Sequence, residues 1–381
     1  SIADPYIGRL NMFRVFTGKM KADSVVYNAN KEKEEKIAQI LIMTGKEQAT
    51  VPELFAGDIA AVAKLSVTGT GDSLTVKANP VVIEPIEFPE PTLSMAIEPK
   101  SKGDEDKLSG AIQRLLEEDP TIRVEKNTET RQTIMKSMGD THVDIVLEKL
   151  SRKFGVDVVS KEMRIPYRET IRGTVEAEGK HKKQTGGHGQ YGHVWIKFEP
   201  TEEGEFVFEE NVFGGSVPRN YFPAVEKGLI EAMEEGVLAG YPVTNLKATL
   251  YDGSYHSVDS SEMAFKMAAR LAYRKGLESA KPVLLEPIVN VEVEVPETYM
   301  GDIIGDMNSK RGRVMGMEPA GKKQVIKAQA PQAEMARYTI DLKSMTQGRG
   351  KFRMEFSHYE EVPGQIAEKI IEKARQEKEE K

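Results

Sequence analysis

Gln184-Thr185-Gly186-Gly187-His188-Gly189-Gln190-Tyr191-Gly192, followed by His193-Val194-Trp195-Ile196-Lys197-Phe198-Glu199, is the stretch on which the fold turns. Gly187, Gly189 and Gly192 match the G-x-G-x-x-G spacing of dinucleotide-binding loops, which requires an apolar strand before the glycines and a helix after them. Neither is present. Lys180-His181-Lys182-Lys183 precedes the loop, and after it Val194, Ile196 and Phe198 alternate with Trp195, Lys197 and Glu199, which is strand periodicity. The stretch therefore predicts a hairpin tip between two strands. With no helix N-terminus to hold a pyrophosphate, the nucleotide reading fails. A glycine-rich, mildly basic tip carrying donor-rich side chains and an aromatic ring suits RNA phosphates and bases better than catalysis.

The 381 residues are too many for one ordinary core and predict two to four domains. Hydrophobic residues at 39% and charged residues at 30% fit a soluble chain with the large surface that several small domains have. No apolar run approaches the roughly 18 residues of a membrane span, and the start, Ser1-Ile2-Ala3-Asp4-Pro5, lacks the basic and apolar regions of a signal peptide. Cysteine is absent, which excludes disulfides and thiolate metal sites and fits a cytoplasmic setting. A formal net charge of -7 argues against indiscriminate nucleic-acid binding while leaving room for local basic tips.

The fold class expected is multidomain α+β. Residues 1–88 read as short strands at 13–16, 25–27, 37–43, 59–65 and 74–76, punctuated by turns, which predicts a small β-barrel. The charged run 30–36 reads as a solvated loop, and Pro80, Pro85, Pro89 and Pro91 mark a stiff linker. Residues 91–164 then read as βαββαβ, a ferredoxin-like order. One helix carries Leu108, Ala111, Ile112, Leu115 and Leu116, and the other carries Val143, Leu147, Leu150 and Phe154 before stopping at Gly155.

Residues 165–284 predict a mixed α/β domain. Val225, Leu229, Ala232 and Met233 face inward on one helix. A strand through Leu246, Ala248 and Leu250 runs into a loop at 251–257. Asp259 is expected to cap the next helix in a capping box with Glu262, and Met263, Met267 and Leu271 to form its core stripe. Residues 285–361 repeat the βαββαβ order, with Met300, Ile303, Ile304 and Met307 lining one helix and a second helix over 332–345. A charged helix, 362–381, carries Ile366, Ile370 and Ala374 on the side expected to pack inward.

Laid out in this order, the chain resembles elongation factor G, the ribosomal translocase, without its nucleotide-binding domain. The resemblance rests on Asp4-Pro5-Tyr6-Ile7-Gly8, Ser94-Met95-Ala96-Ile97-Glu98-Pro99, the loop around Gly186 to His193, Leu250 to His256, Tyr299-Met300-Gly301-Asp302 and Ser344-Met345-Thr346-Gln347-Gly348-Arg349-Gly350. It implies that GTP with magnesium binds a domain preceding Ser1, because no G-x-x-x-x-G-K-[ST] loop occurs in these residues. It further implies a monomer in the cytoplasm whose partners are ribosomal RNA and proteins, tRNA and mRNA, with no membrane involved. The resemblance also likens the mixed α/β domain, 165–284, to a small-subunit ribosomal protein. Two departures, His188 where the family has arginine and Gly139-Asp140-Thr141-His142-Val143-Asp144, leave main translocase and divergent paralogue both open.

The candidate contacts are two loops. Gln190 offers both donor and acceptor, His188, Tyr191, Tyr255 and His256 offer rings for stacking, and Gly186, Gly187 and Gly189 permit close backbone approach. Ser254 lies in the second loop. A hairpin that is merely flexible, with Tyr191 packed inward, is the alternative, and the resemblance weighs towards a role for Gln190 and His256. Histidine at 188 gives up arginine's bidentate fork, so a weaker, pH-dependent phosphate grip is expected there. Lys310, Arg311, Arg313, Arg349 and Lys351 read as solvated basic loops, to which the resemblance assigns contacts with large-subunit ribosomal RNA. A zinc site at His188 and His193 lacks an evident carboxylate partner, and His142 reads as structural. A Ser254–His256–Asp259 triad lacks an oxyanion site, so no catalytic residue is assigned. The competing functions are ribosome protection or recycling and, from another class, an enzyme using the loop histidines.

Overall fold

The computed structural model describes residues 1–4, 8–45, 47–184 and 189–379, and the chain is multidomain α+β. It divides into two compact units, residues 1–164 with 336–353 and residues 165–335 with 354–381.

In the first unit the N-terminal strands form three sheets. The largest runs Ile2–Asp4, Gly8–Arg14, Ile59–Ala63, Ile40–Thr44, Glu47–Val51, and its core holds Ile37, Ile40, Leu54 and Val62. The charged run 30–36 is not a solvated loop: its second half is the strand Lys33–Ile37. Glu35 points inward from it and is almost fully buried. Its carboxylate accepts the backbone N–H groups of Ser66 (2.5 Å), Val67 (2.8 Å) and Thr68 (2.9 Å), together with the Ser66 and Thr68 hydroxyls. A charge pattern alone hid this residue because the donors lie some thirty positions away in sequence. Burial raises the Glu35 pKa, but the hydrogen bonds from Thr68, Val67 and Ser66 outweigh it and hold the carboxyl below its ordinary range. The folded pKa is thus depressed, and the stabilisation is complete above the unfolded pKa of about 4.3 and lost as pH falls through the folded value. Thermal unfolding should show Glu35→Gln destabilised at pH 7, with the gap to the unaltered chain closing as pH falls below the unfolded value of about 4.3.

Residues 93–161 form the expected βαββαβ unit, and its sheet places the fourth, first, third and second strands side by side. Leu108, Ala111 and Leu115 of helix Glu105–Glu118 and Val143, Val146 and Leu150 of helix Asp140–Phe154 cover one face. Gly155 ends the second helix in the left-handed region (φ 64), as its position predicted. His142 is structural: its Nδ1 accepts Met138 N–H (3.1 Å) and its Nε2 meets Asp119 (3.0 Å). The helix expected at 332–345 is split into a 3₁₀ turn Gln332–Met335 and an α-helix Tyr338–Thr346. That α-helix belongs to the first unit, where Thr339 donates to Thr92 O (2.5 Å) and Lys343 to Met138 O (2.7 Å).

The second unit is built on two sheets. One places the strands Val175–Lys183, Gln190–Pro200, Leu246–Ser254 and Phe206–Glu210 side by side, with Val194, Ile196, Phe198, Leu246, Ala248 and Leu250 turned into a shared core. The helices Phe222–Met233 and Glu262–Ser279 complete that core. Two expectations for the longer helix fail. Its N-cap is Ser261, whose hydroxyl accepts Ala264 N–H, and not Asp259. Its buried face is Ala264, Phe265, Ala268, Ala269, Ala272, Tyr273, Gly276 and Leu277, while Met263 and Leu271 are exposed.

The other sheet carries the strands of the second βαββαβ segment, with Pro282–Pro296 as its long central strand and Arg168–Ile171 added at one side. Ile303 and Met307 anchor helix Met300–Ser309 on it. In helix Gly364–Glu379, Ile366, Ile370 and Ala374 are half-buried. No helix among the described residues is long and apolar enough to cross a membrane.

Candidate nucleic-acid interface

The loop 184–192 joins two strands, as its periodicity predicted. The hairpin arms stay in register up to Lys183 opposite Gln190, and Leu246–Ser254 pairs on the other side with Ser254 opposite His193. Both loops therefore emerge at the same end of one sheet. Thr185, Gly186, Gly187 and His188 lie outside the described residues; Gly189, Gln190, Tyr191, Ser254, Tyr255 and His256 lie within them.

The two loops are stitched together by hydrogen bonds. Gly189 N–H donates to the Asp259 carboxylate (3.0 Å) and Tyr191 N–H to Asp259 O (2.8 Å), while the Ser260 hydroxyl donates to Tyr191 O (2.9 Å). The Asp259 carboxylate thus holds Gly189 instead of capping a helix. His256 Nδ1 accepts the backbone N–H groups of Val258 (3.3 Å) and Asp259 (3.2 Å), which fixes the neutral ring as the tautomer with its proton on Nε2. Its side chain is 53% exposed, so this N–H is presented as a donor from a locked ring. Gln190 is exposed, and its side-chain oxygen meets His181 Nε2 at 2.8 Å across the hairpin. Tyr255 is exposed as well.

Tyr191 and Ser254 have a different place. The Tyr191 hydroxyl meets Ser254 Oγ (2.7 Å), Ser254 Oγ meets His193 Nδ1 (2.8 Å), and His193 Nε2 meets Glu178 Oε1 (3.0 Å). A carboxylate accepts from Nε2–H, so neutral Nδ1 accepts from Ser254 and Ser254 accepts from Tyr191. His193 therefore has the carboxylate partner that its sequence neighbourhood did not show. Lys180 lies opposite His193, and two residues back along the same face of the arm stands Glu178. The order Ser254–His193–Glu178 has the outline of a hydrolytic triad, but the serine oxygen already accepts the Tyr191 hydroxyl, and Ser254, His256 and Asp259 do not form one. No cluster of metal-ligating side chains occurs among the described residues. The chain of bonds ties three strands at the root of the tip, with Lys180 Nζ 6.0 Å from the Tyr191 ring centre.

Models of elongation factor G match successive parts of the chain: domain 2 over residues 1–77, domain III over 88–162, domain IV over 163–281 and the C-terminus over 283–370. The chain belongs to the elongation factor G family. A crystal structure of a protein from Thermus thermophilus is similar over 98% of the chain at 38% identity with a TM-score of 0.82, and the chain spans 56% of that protein's length.

The stitched loops fall inside the elongation factor G domain IV match, and the basic residues 310, 311 and 313 inside the C-terminal match. Those basic residues are not equivalent. Arg311 forks onto Glu286 (2.6 and 2.9 Å) and reaches Glu334 with Nε (3.0 Å), and Glu286 is almost wholly buried. The hydrogen bonds it donates to Glu286 are the largest cause that raises the Arg311 pKa above its ordinary value. The same carboxylate, after burial, helps push the Tyr167 hydroxyl up to about 12. Lys310 is tied to Asp306 (2.8 Å) and largely buried. Both serve the fold. Arg313, by contrast, is 72% exposed with a longer pair to Glu360 (3.5 Å), and Arg349 and Lys351 are exposed. Sequence reasoning missed Glu178, His181, His193 and Asp259 as the residues that shape the tip. A sequence gives no sign of which carboxylate faces which loop until the strand register is known.

Proposed function

We propose that the chain is the ribosome-binding part of an elongation factor G, driving tRNA and mRNA through the ribosome in step with GTP turnover. The observation that carries this is the stitched double loop at the end of the domain IV segment. Seventy residues apart in sequence but adjacent in space, Gly189 and Asp259 lock a tip that presents Gln190, Tyr255 and the Nε2 donor of His256 outward. These are side chains for ribose hydroxyls, base edges and base faces. A tip pinned by backbone and side-chain bonds transmits a push, because packed interiors yield little. The chain holds no phosphate-cradling G-x-x-x-x-G-K-[ST] loop, so GTP and magnesium belong to a separate nucleotide-binding domain in this reading. The factor acts as a monomer in the cytoplasm, with Arg313, Arg349 and Lys351 as its second set of RNA contacts.

Sedimentation with purified ribosomes across a salt series tests the binding. Affinity should fall steeply between about 50 and 200 mM salt if phosphates are neutralised, and absence of ribosome association would sink the proposal. In the full-length factor, Gln190→Ala or His256→Ala should slow translocation on the order of tenfold, the equivalent of one lost hydrogen bond of about 1–1.5 kcal/mol. Ribosome-stimulated GTP hydrolysis should be nearly unchanged, and a loss of both activities together would indicate misfolding.

A further inference from the structure

Phe213 is 89% exposed, the most exposed large hydrophobic side chain in the domain IV segment. Its position is set by the backbone. The two residues after it, Gly214 (φ 68) and Gly215 (φ 72), both take the left-handed conformation that side chains disfavour, turning the chain sharply back to Val217, which is buried. The loop is also fixed to the sheet: Asn211 N–H donates to Leu250 O (2.8 Å), and Val217 packs on Gly253 so closely that a Cβ there would come within 2.6 Å of it. Leu250 and Gly253 belong to the strand that ends at Ser254. Phe213 therefore stands at the same end of the sheet as the two stitched loops, on the edge opposite the basic hairpin arm.

Exposed apolar side chains gather at this end. Tyr255, Val258 and Met263 are exposed around the second loop and the start of the helix behind it. Lys180, Lys182 and Lys183 are exposed on the hairpin arm, and Arg219 follows the Phe213 loop. Two of the nearby acids accept backbone N–H groups, Asp252 from Gly253 (2.8 Å) and Asp259 from Gly189, and Glu209 is paired with Lys247 (2.9 Å), while Glu210 at the foot of the loop is exposed. Cations flanking displayed rings are complementary to a strand of phosphates with unstacked bases.

We propose that the loop 211–217 is a third RNA contact of the tip, in which Phe213 stacks on an unpaired base of the RNA the tip meets. The inference rests on the ribosome-binding reading and adds to it a site that the glycine-rich and histidine loops do not contain. The solvent position of the ring means that replacing it leaves the core intact.

The test is sedimentation of the 381-residue chain with purified ribosomes, comparing Phe213→Ala, Phe213→Leu and Phe213→Trp with the unaltered chain at several salt concentrations. Loss of one stacked base corresponds to about a tenfold weaker affinity for Phe213→Ala. Phe213→Leu should be as weak as alanine because it has no π face, and Phe213→Trp should bind at least as well as phenylalanine. The salt slope should be the same for all four, since the contact carries no charge. Binding by the unaltered chain that Phe213→Ala leaves unchanged overturns this inference alone. Full binding by Phe213→Leu also overturns it, pointing to an apolar pocket on a protein. Absence of binding by the unaltered chain overturns the ribosome reading and the inference together.

Discussion

Gly192→Ala should destabilise the domain IV segment by about 3 kcal/mol, at the upper end for an overpacked contact. A Cβ at this position would lie 2.4 Å from the carbonyl oxygen of Ala264 and 2.8 Å from Phe265 N, both backbone atoms of the helix Glu262–Ser279. Backbone in a helix has nowhere to go without moving the helix off the sheet. The ordinary expectation for a glycine in a strand is the reverse, since alanine restrains the unfolded chain and gains about 0.5–1 kcal/mol, so the sign of the result decides whether close packing governs. Gly189→Ala is the contrast within the same motif. Its Cβ would meet the Asp259 carboxylate at 2.9 Å, the end of a side chain that can rotate aside at the cost of one hydrogen bond, about 1 kcal/mol. Urea unfolding followed by the fluorescence of Trp195, the single tryptophan and a member of the strand Gln190–Pro200, reports on this segment directly. Equal effects for the two variants would refute the packing account.

Removing Arg311 should cost as much or more. Arg311→Ala leaves the Glu286 carboxylate buried without its fork, a loss of about 3–5 kcal/mol for a broken buried pair. Replacing both partners by apolar residues, Arg311→Met with Glu286→Leu, should recover most of it, because the penalty comes from the stranded charge more than from the lost attraction. Unfolding of Arg311→Met, Glu286→Leu and the double variant, monitored by circular dichroism, closes the cycle. Arg313→Ala, from an exposed side chain two residues on, should leave stability within about 0.5 kcal/mol while lowering the salt slope of ribosome binding by about one. If Arg311→Ala proved stable and deficient only in ribosome binding, the guanidinium would be a phosphate ligand after all.

The contrast between Arg311 and Arg313 shows how far a sequence goes. Both stood in one basic run, Lys310-Arg311-Gly312-Arg313, with no local feature to separate them. Glu286, which claims Arg311, is twenty-five positions earlier, and only the folded sheet brings it there. Glu35 and His193 were misjudged for the same reason: their partners, residues 66–68 and Glu178, are set by pairing between strands. The tip loops fared better. That residues 184–192 join two strands followed from Val194, Ile196 and Phe198, because a period of two is a property of the strand itself.

Apart from the charged run 30–36, the sequence by itself determined the kinds of the main elements and their order, including both βαββαβ segments and the hairpin that displaces a nucleotide loop. Those are local matters, fixed by how successive side chains point from a helix or a strand. The tertiary structure alone decided which stripe of helix Glu262–Ser279 turns inward. Met263, Met267 and Leu271 had the size expected of a core, yet the buried stripe is largely alanine and glycine. The helix lies so close to the hairpin that Gly179 and Gly192 leave room for no more than a hydrogen, and at that separation small side chains fill the gap while methionine does not fit. Distance between elements is not written in the periodicity of either one, and it is this distance that makes Gly192 part of a packing surface.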